Sequence, residues 1–226
     1  YKVAVCEQLN TPEEAGGKLV DRDVVRVITP GTVIEDTLLD EKKNNYLACI
    51  YSGKTDCAIA WIDISTGEFC TCQTVGSSIE GVEDILSMIS PAEIICNGQA
   101  KNESEKFSDI RLGKLPRFNK YSEDEFKLSK AESMLNRHFD TSTLDGFGLK
   151  GKEASVCACG ALMSYIYETQ KRCLTHINTI RYVNNSSYMF MDAHTRANLE
   201  ILQCARDNKR KASLLWVLDK TRTSMG

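Results

Sequence analysis

The sequence predicts an α/β domain followed by a purely helical segment. Short apolar runs at 46–53, 57–64 and 68–72 are separated by connections of hairpin length. A stretch of helical period over 79–89 then leads into another apolar run, 92–96. From Met191 onward the apolar pattern is helical only. Strands first, then a helix and a further strand, give a sheet that contains both antiparallel and parallel pairs.

The elements follow in chain order. Residues 3–9 alternate weakly and read as a strand. Thr11-Pro12-Glu13-Glu14 is a capping-box start with Pro at the first helical position. Gly16-Gly17 keeps that helix short. The β-branched run 24–28 is a second strand, and Pro30-Gly31 marks a domain boundary, with 1–29 on its N-terminal side. Of the next three strands, the middle one (57–64) is apolar on both faces and so belongs at the centre of a sheet. Ser77–Glu80 is a second capping box, and Ile79, Val82, Ile85, Leu86 and Ile89 follow at helical spacing. Pro91 ends the helix before the strand AEIIC, 92–96. Three antiparallel strands followed by a crossover strand is the order of a ribonuclease-H-like domain, a mixed sheet with flanking helices.

A polar stretch follows, with a short helix near 102–109 and a strand near 115–119. Ser122–Glu125 is a third capping box, opening a helix to about His138 whose inner stripe is Phe126, Leu128, Ala131, Leu135 and Phe139. A longer helix, about 154–171, carries Cys157, Ala158, Ala161, Leu162, Tyr165 and Thr169 along one face; its small residues permit close approach to a neighbour. Asn184–Ser187 is a turn between domains, which bounds a domain at 30–187 and leaves 188–226 as the helical segment.

Composition excludes several classes. The net charge is −3 with 42% hydrophobic residues, unlike a free-standing nucleic-acid binder with its basic surplus. The basic cluster Lys209–Lys211 is short and reads as a solvated helix start. No apolar run approaches the ~18 residues that span a bilayer. Ten cysteines invite a zinc reading, yet Cys49, Cys57, Cys70, Cys72 and Cys96 lie in apolar strand runs and Cys157 on a helix face. The pairs Cys70/Cys72 and Cys157/Cys159 are spaced CxC, and His138, His176 and His194 are near none of them. Structural zinc favours CxxC spacing, so reduced buried thiols in a reducing compartment are expected.

Candidate chemistry was sought in three places. A ribonuclease-H-like nuclease needs carboxylates on its first strand and at the end of the strand after the crossover. The run YLACIYS has no acid, and AEIIC has only Glu93 near its start. Asp63, Glu68 and Asp84 are the best carboxylates for a degenerate, metal-dependent nuclease; Asp63 is better read as bonding the adjacent turn 65–67. Gly146–Glu153 matches GxxxxGK, but Glu153 stands where a magnesium-binding Ser or Thr belongs and would repel phosphate. There is no GxSxG, His138 reads as a structural residue at a helix end, and Arg196 and Glu200 are spaced to pair.

The blocks MDAHTRANLEI (191–201) and SLLWVLDKTRTSMG (213–226), with VAVCEQL (3–9), VVRVITPGT (24–32) and DISTGEF (63–69) in the same order, resemble the MutS family of DNA mismatch-repair proteins. With no Met at its start, the chain reads as an interior piece of such a protein. The resemblance implies the end of a mismatch-binding domain, a whole connector domain, and the first helices of an all-helical core or lever domain. The family's Phe-x-Glu wedge and its ATPase phosphate loop do not occur in this sequence. Catalytic, cofactor and metal residues are therefore not expected in this piece. ATP and magnesium belong to the full-length family protein, a cytoplasmic homodimer on mismatched duplex DNA. The connector is implied to carry allosteric signals and to dock MutL. The outward face of the helix at 123–138, with Lys130, Ser133, Met134 and Arg137, is the candidate docking surface. Leu199, Leu202, Leu214, Leu215 and Trp216 are expected to lack their native partners.

Overall fold

The computed structural model describes residues 2–11, 19–34, 44–104, 116–171, 174–184, 191, 193–207 and 209–221. Strands β1 (Val3–Gln8) and β2 (Arg22–Ile28) form an antiparallel pair. The main sheet contains β3 (Tyr46–Ser52), β4 (Asp56–Asp63), β5 (Glu68–Val75), β6 (Glu93–Cys96), β7 (Phe118–Lys120) and β8 (Arg181–Tyr182). Its order is β7-β6-β3-β4-β5-β8. The β3/β4 and β4/β5 pairs are antiparallel, and β3/β6, β6/β7 and β5/β8 are parallel. The central position of β4 is as the sequence predicts. The two-residue edge strand β8 is too short to carry a periodicity signal.

Because side chains alternate along a strand, the sheet has two apolar faces. Ala58, Ala60 and Ile62 join Leu47, Cys49, Phe69 and Ile95 on one face. Ile59 and Trp61 join Ala48, Ile50, Cys70, Cys72 and Ile94 on the other. The second face is covered by a 3-10 turn, Ile79–Val82, and helix α1 (Glu83–Ile89). Helix α2 (Gly98–Ser104) adds Ala100 to that side. The first face is covered by α3 (Leu128–Phe139) and α4 (Glu153–Gln170). The product is an α/β domain with helices on both faces of the sheet.

Helix α4 is not amphipathic as the sequence suggests: every residue from Ala154 to Ile166 is buried. It lies between the sheet and α3, and both neighbours need an apolar surface. Gly160 sets the spacing to α3, since a Cβ there would come within 2.4 Å of Ala131 Cα. The His138 ring joins the same layer, with Nε2 2.8 Å from the Ile177 carbonyl and Nδ1 2.7 Å from the Tyr167 hydroxyl. A carbonyl only accepts, so Nε2 is the donor, and the structural reading of His138 holds.

Of the two capping boxes expected here, that at 77–80 rests on the Glu80 side chain, which lies outside the described residues, and that at 122–125 gives way to a 3-10 turn. The Ile79 N–H goes to the Glu103 carboxylate at 3.1 Å, and a 3-10 turn precedes α1. After Ser122, whose side chain makes no cap bond, a 3-10 turn spans Glu123–Phe126; extended Lys127 then starts α3. That break lets buried Phe126 stack on Tyr51 at 5.8 Å. Of the short helix expected near 102–109, residues 102–104 fall in α2 and the rest lie outside the described residues; the strand near 115–119 corresponds to β7. The capping box at 11–14 and the turn at 184–187 fall largely outside the described residues.

Beyond Met191 the described helices are α5 (Ala193–Asn198) and α6 (Leu214–Leu218). Leu199, Leu202, Leu214, Leu215 and Trp216 are all exposed. Among the described residues no helix is long and apolar enough to cross a membrane.

Nine cysteines are described, all as free thiols. Burial pushes Cys57, Cys96 and Cys159 up to about 12 and Cys157 up to about 11. The thiolate is the reactive form, so these groups are doubly protected, by access and by protonation. In the Cys173→Ser protein at pH 8, a chromogenic aromatic disulfide reagent should label exposed Cys6 first and Cys204 next. The seven buried thiols should react only on unfolding; native labelling of any of them at the rate of Cys6 contradicts this packing.

A second test concerns the α3–α4 contact. Gly160→Ala should destabilise by roughly 1–3 kcal/mol, as overpacking does. Gly146→Ala, where a Cβ meets nothing within 4 Å, should stay within about 0.5 kcal/mol. Urea denaturation of both variants makes the comparison.

Candidate functional site

In an open α/β sheet, ligands settle in the crevice outside the carboxyl ends of the strands. Here the adjacent parallel strands β3 and β6 end at Ser52 and Cys96, and Asn97 is the next residue. The buried Asn97 amide closes that end. Its Oδ1 accepts from Ser52 N at 3.1 Å and from Ala100 N at 3.2 Å; its Nδ2 donates to Ser52 O at 2.9 Å. The Ser52 hydroxyl reaches Ser77 O at 2.5 Å and Glu103 Oε1 at 3.1 Å. Beside this clamp opens a cleft of about 550 Å³, with Tyr51, Asn97, Gln99, Phe126, Glu153 and Cys157 in its wall.

The carboxylates considered for metal chemistry are elsewhere. Asp63 and Glu68 face each other across β4 and β5, at the opposite end of β3 from Ser52. Buried Asp63 accepts from Ser65 N at 2.9 Å, Ser65 Oγ at 2.6 Å and Asn45 N at 3.1 Å. It is the turn-bonding residue that the sequence suggests. Glu68 accepts from Tyr46 Oη at 2.8 Å and from Arg181 Nη2 at 2.8 Å. Burial, then Glu68, raise the Tyr46 hydroxyl above its ordinary pKa. Asp84 is on α1. Among the described residues no three Cys, His, Asp or Glu converge on one point.

The glycine-rich GxxxxGK segment connects α3 to α4 through a 3-10 turn, Asp145–Phe147. Gly148 and Gly151 both have positive φ. Lys152 is directed to the Tyr182 ring, 5.2 Å from its centroid. The segment is a bend between helices.

The candidate docking residues share the solvent side of α3. Ala131 and Leu135 occupy the inner side, 1% and 0% exposed. Lys130, Ser133 and Arg137 are exposed, and Met134 is half-buried at the margin. Lys130 pairs with Glu125, and Arg137 Nη2 lies 3.5 Å from Met134 Sδ. The face is therefore a mixed-charge surface around one thioether, carried on a helix whose inner side is buried.

One polar cluster is missing from the sequence-based site list. Glu93, 2% exposed at the start of β6, accepts from the Tyr165 hydroxyl of α4 at 2.7 Å, from Thr29 Oγ1, and from Gly31 N at 3.1 Å. The available signal was an acid entering an apolar strand. Such a residue is almost never fully buried without partners.

Comparison with known proteins adds two findings. The family model described as MutS domain II matches residues 45–178, and that of MutS domain I matches 1–37. Curated relatives called DNA mismatch repair protein MutS align over the whole chain. They include those of Halothermothrix orenii (45% identical), Alkaliphilus oremlandii (42%) and Ruminiclostridium cellulolyticum (41%). The chain spans about a quarter of the length of these relatives, 25–26%. With a domain II match over more than half its length and that identity from end to end, the chain belongs to the MutS family.

Proposed function

We propose that this segment is the non-catalytic connector of a MutS-type mismatch-recognition protein. Residues 1–29 end its mismatch-binding domain, 30–187 form a ribonuclease-H-like connector, and 188–226 begin the all-helical core. The strand sequence β5-β4-β3-β6-β7, with β4 antiparallel to its neighbours, supports the ribonuclease-H-like reading. The transition between the matches to domains I and II, at 37 and 45, lies close to the proposed first boundary. The observation that carries the non-catalytic reading is the Asn97 clamp. An amide that accepts two backbone N–H bonds and donates one to a backbone carbonyl closes the end of the parallel pair where a nuclease of this topology needs a carboxylate. The nuclease reading of Asp63, Glu68 and Asp84 has no converging geometry behind it.

In the full-length protein the connector transmits between mismatch-bound DNA and a magnesium-dependent ATPase, within a cytoplasmic homodimer. MutL docks on the outer face of α3 through Lys130, Ser133, Met134 and Arg137. A half-buried Met amid exposed polar groups offers adaptable contact area. Its cationic neighbours set orientation and on-rate.

Arg137→Glu with Ser133→Arg in the full-length protein should weaken MutL recruitment to mismatched DNA several-fold. Mismatch affinity should not change, and stability should move by no more than ~0.5 kcal/mol. MutL recruitment that is untouched by the folded double variant refutes this face. Cleavage of DNA or RNA by the purified segment with magnesium or manganese, abolished by Asp63→Asn, refutes the non-catalytic role.

A further inference from the structure

Two of the three polar partners of Glu93 reach it from another part of the chain. Thr29 and Gly31 lie within the domain I match; Glu93 and Tyr165 lie within the domain II match. Further contacts cross the same junction. Gln170 Nε2 donates to Thr32 O at 2.9 Å, Lys171 Nζ to Val24 O at 2.6 Å and Asn45 Nδ2 to Pro30 O at 3.0 Å. Lys2 Nζ lies 5.4 Å from the Tyr165 ring centroid.

The junction backbone is itself fixed. Thr29 N donates to Thr32 Oγ1 at 2.9 Å, and Thr32 N donates to Thr29 O at 3.0 Å. The two threonine hydroxyls are 3.0 Å apart. With Thr29 donating to Glu93, the single Thr32 hydroxyl proton is shared between Thr29 Oγ1 at 3.0 Å and the Thr29 carbonyl at 3.4 Å, which ties the turn to the residue that holds the carboxylate. Gly31 packs so close that a Cβ there would come 2.9 Å from Glu93 Cβ and 2.9 Å from Leu47 Cδ1. Thr29, Thr32, Glu93 and Tyr165 are all at most 4% exposed. Burial, then the neighbouring Glu93, hold the Tyr165 hydroxyl above its ordinary pKa, so it remains a donor.

Connections between domains are ordinarily exposed, with few contacts crossing them. This one is buried at Thr29 and Thr32 and crossed by several hydrogen bonds, those to the Glu93 carboxylate being of the charge-assisted kind, about twice as strong as neutral ones. We propose that Glu93 is a positioning residue that locks the junction at Thr29–Thr32 to β6 and α4, so that the β1–β2 pair and the α/β domain move as one body. A displacement of the N-terminal pair then reaches the sheet through β6 and the core through α4, without a slack linker between them. The consequence for signalling rests on the connector reading above.

The test uses the full-length protein with Thr29→Val, Tyr165→Phe, their combination, and Thr29→Ser as the conservative control. Amide exchange across 24–32 and the stimulation of ATP turnover by mismatched duplex are measured together. The combined variant should exchange about tenfold faster at 29–32, because the bonds removed are to a charged group. It should lose most of the mismatch-dependent stimulation while keeping basal turnover and mismatch affinity. Thr29→Ser keeps the hydroxyl and should behave as the parent in both readouts. Unchanged exchange in the combined variant overturns the lock. Faster exchange with intact stimulation overturns its role in signalling. A parent protein whose ATP turnover ignores mismatched DNA overturns the connector reading instead, and the exchange result still decides the lock.

Discussion

The close approach of α3 and α4 is the constraint on which the rest of the domain depends. Helix α4 has no solvent side for most of its length. It fills the space between the sheet and α3, and that space is set by Gly160 against Ala131. A larger pair would lift α3 off the core and separate Phe126 from Tyr51. It would also turn the outer face of α3 relative to the sheet. The position of the proposed docking residues is thus a packing property of α4, whose own side chains never reach solvent there.

A scaffold of this topology can support metal chemistry when acids converge at the ends of its central strands. In this chain those ends are joined to each other. Ser52, Asn97 and Glu103 saturate one another and the start of α2. Asp63 and Glu68 do comparable work at the far end of β3. The polar residues that a catalytic site would hold available are spent on holding backbone in place. Such use favours rigidity over chemistry.

Much of this architecture was legible in the sequence. The two-faced apolar run of β4 announces a central strand, and the Ile79–Ile89 spacing announces the covering helix. The inner stripe of α3 was legible from Ala131 and Leu135. Local signals failed where long-range partners outcompeted them. Glu103 takes the Ile79 N–H from 24 residues away, and Phe126 breaks its helix to reach Tyr51. The full burial of α4 was illegible because a helix covered on two sides carries no clean amphipathic period. The Glu93 cluster was half legible. A lone acid entering an apolar strand signals a buried partner set, but Thr29 lies 64 residues away and Tyr165 lies 72 away, too far for any spacing rule.

The saturation of Glu93 also constrains how this junction can change over evolutionary time. Replacing Glu93 alone by an apolar residue strands two buried hydroxyls and an amide. Replacing Thr29 or Tyr165 alone withdraws a donor from a buried acid. Each single step costs more than the network is worth, because an unmet buried group bears its full desolvation penalty. A concerted exchange to well-packed apolar side chains can be nearly neutral. The three positions therefore form one epistatic unit: substitutions at 29, 93 and 165 should be tolerated in combination far more readily than one at a time. A lineage that has left the Thr–Glu–Tyr state should show all three positions changed together.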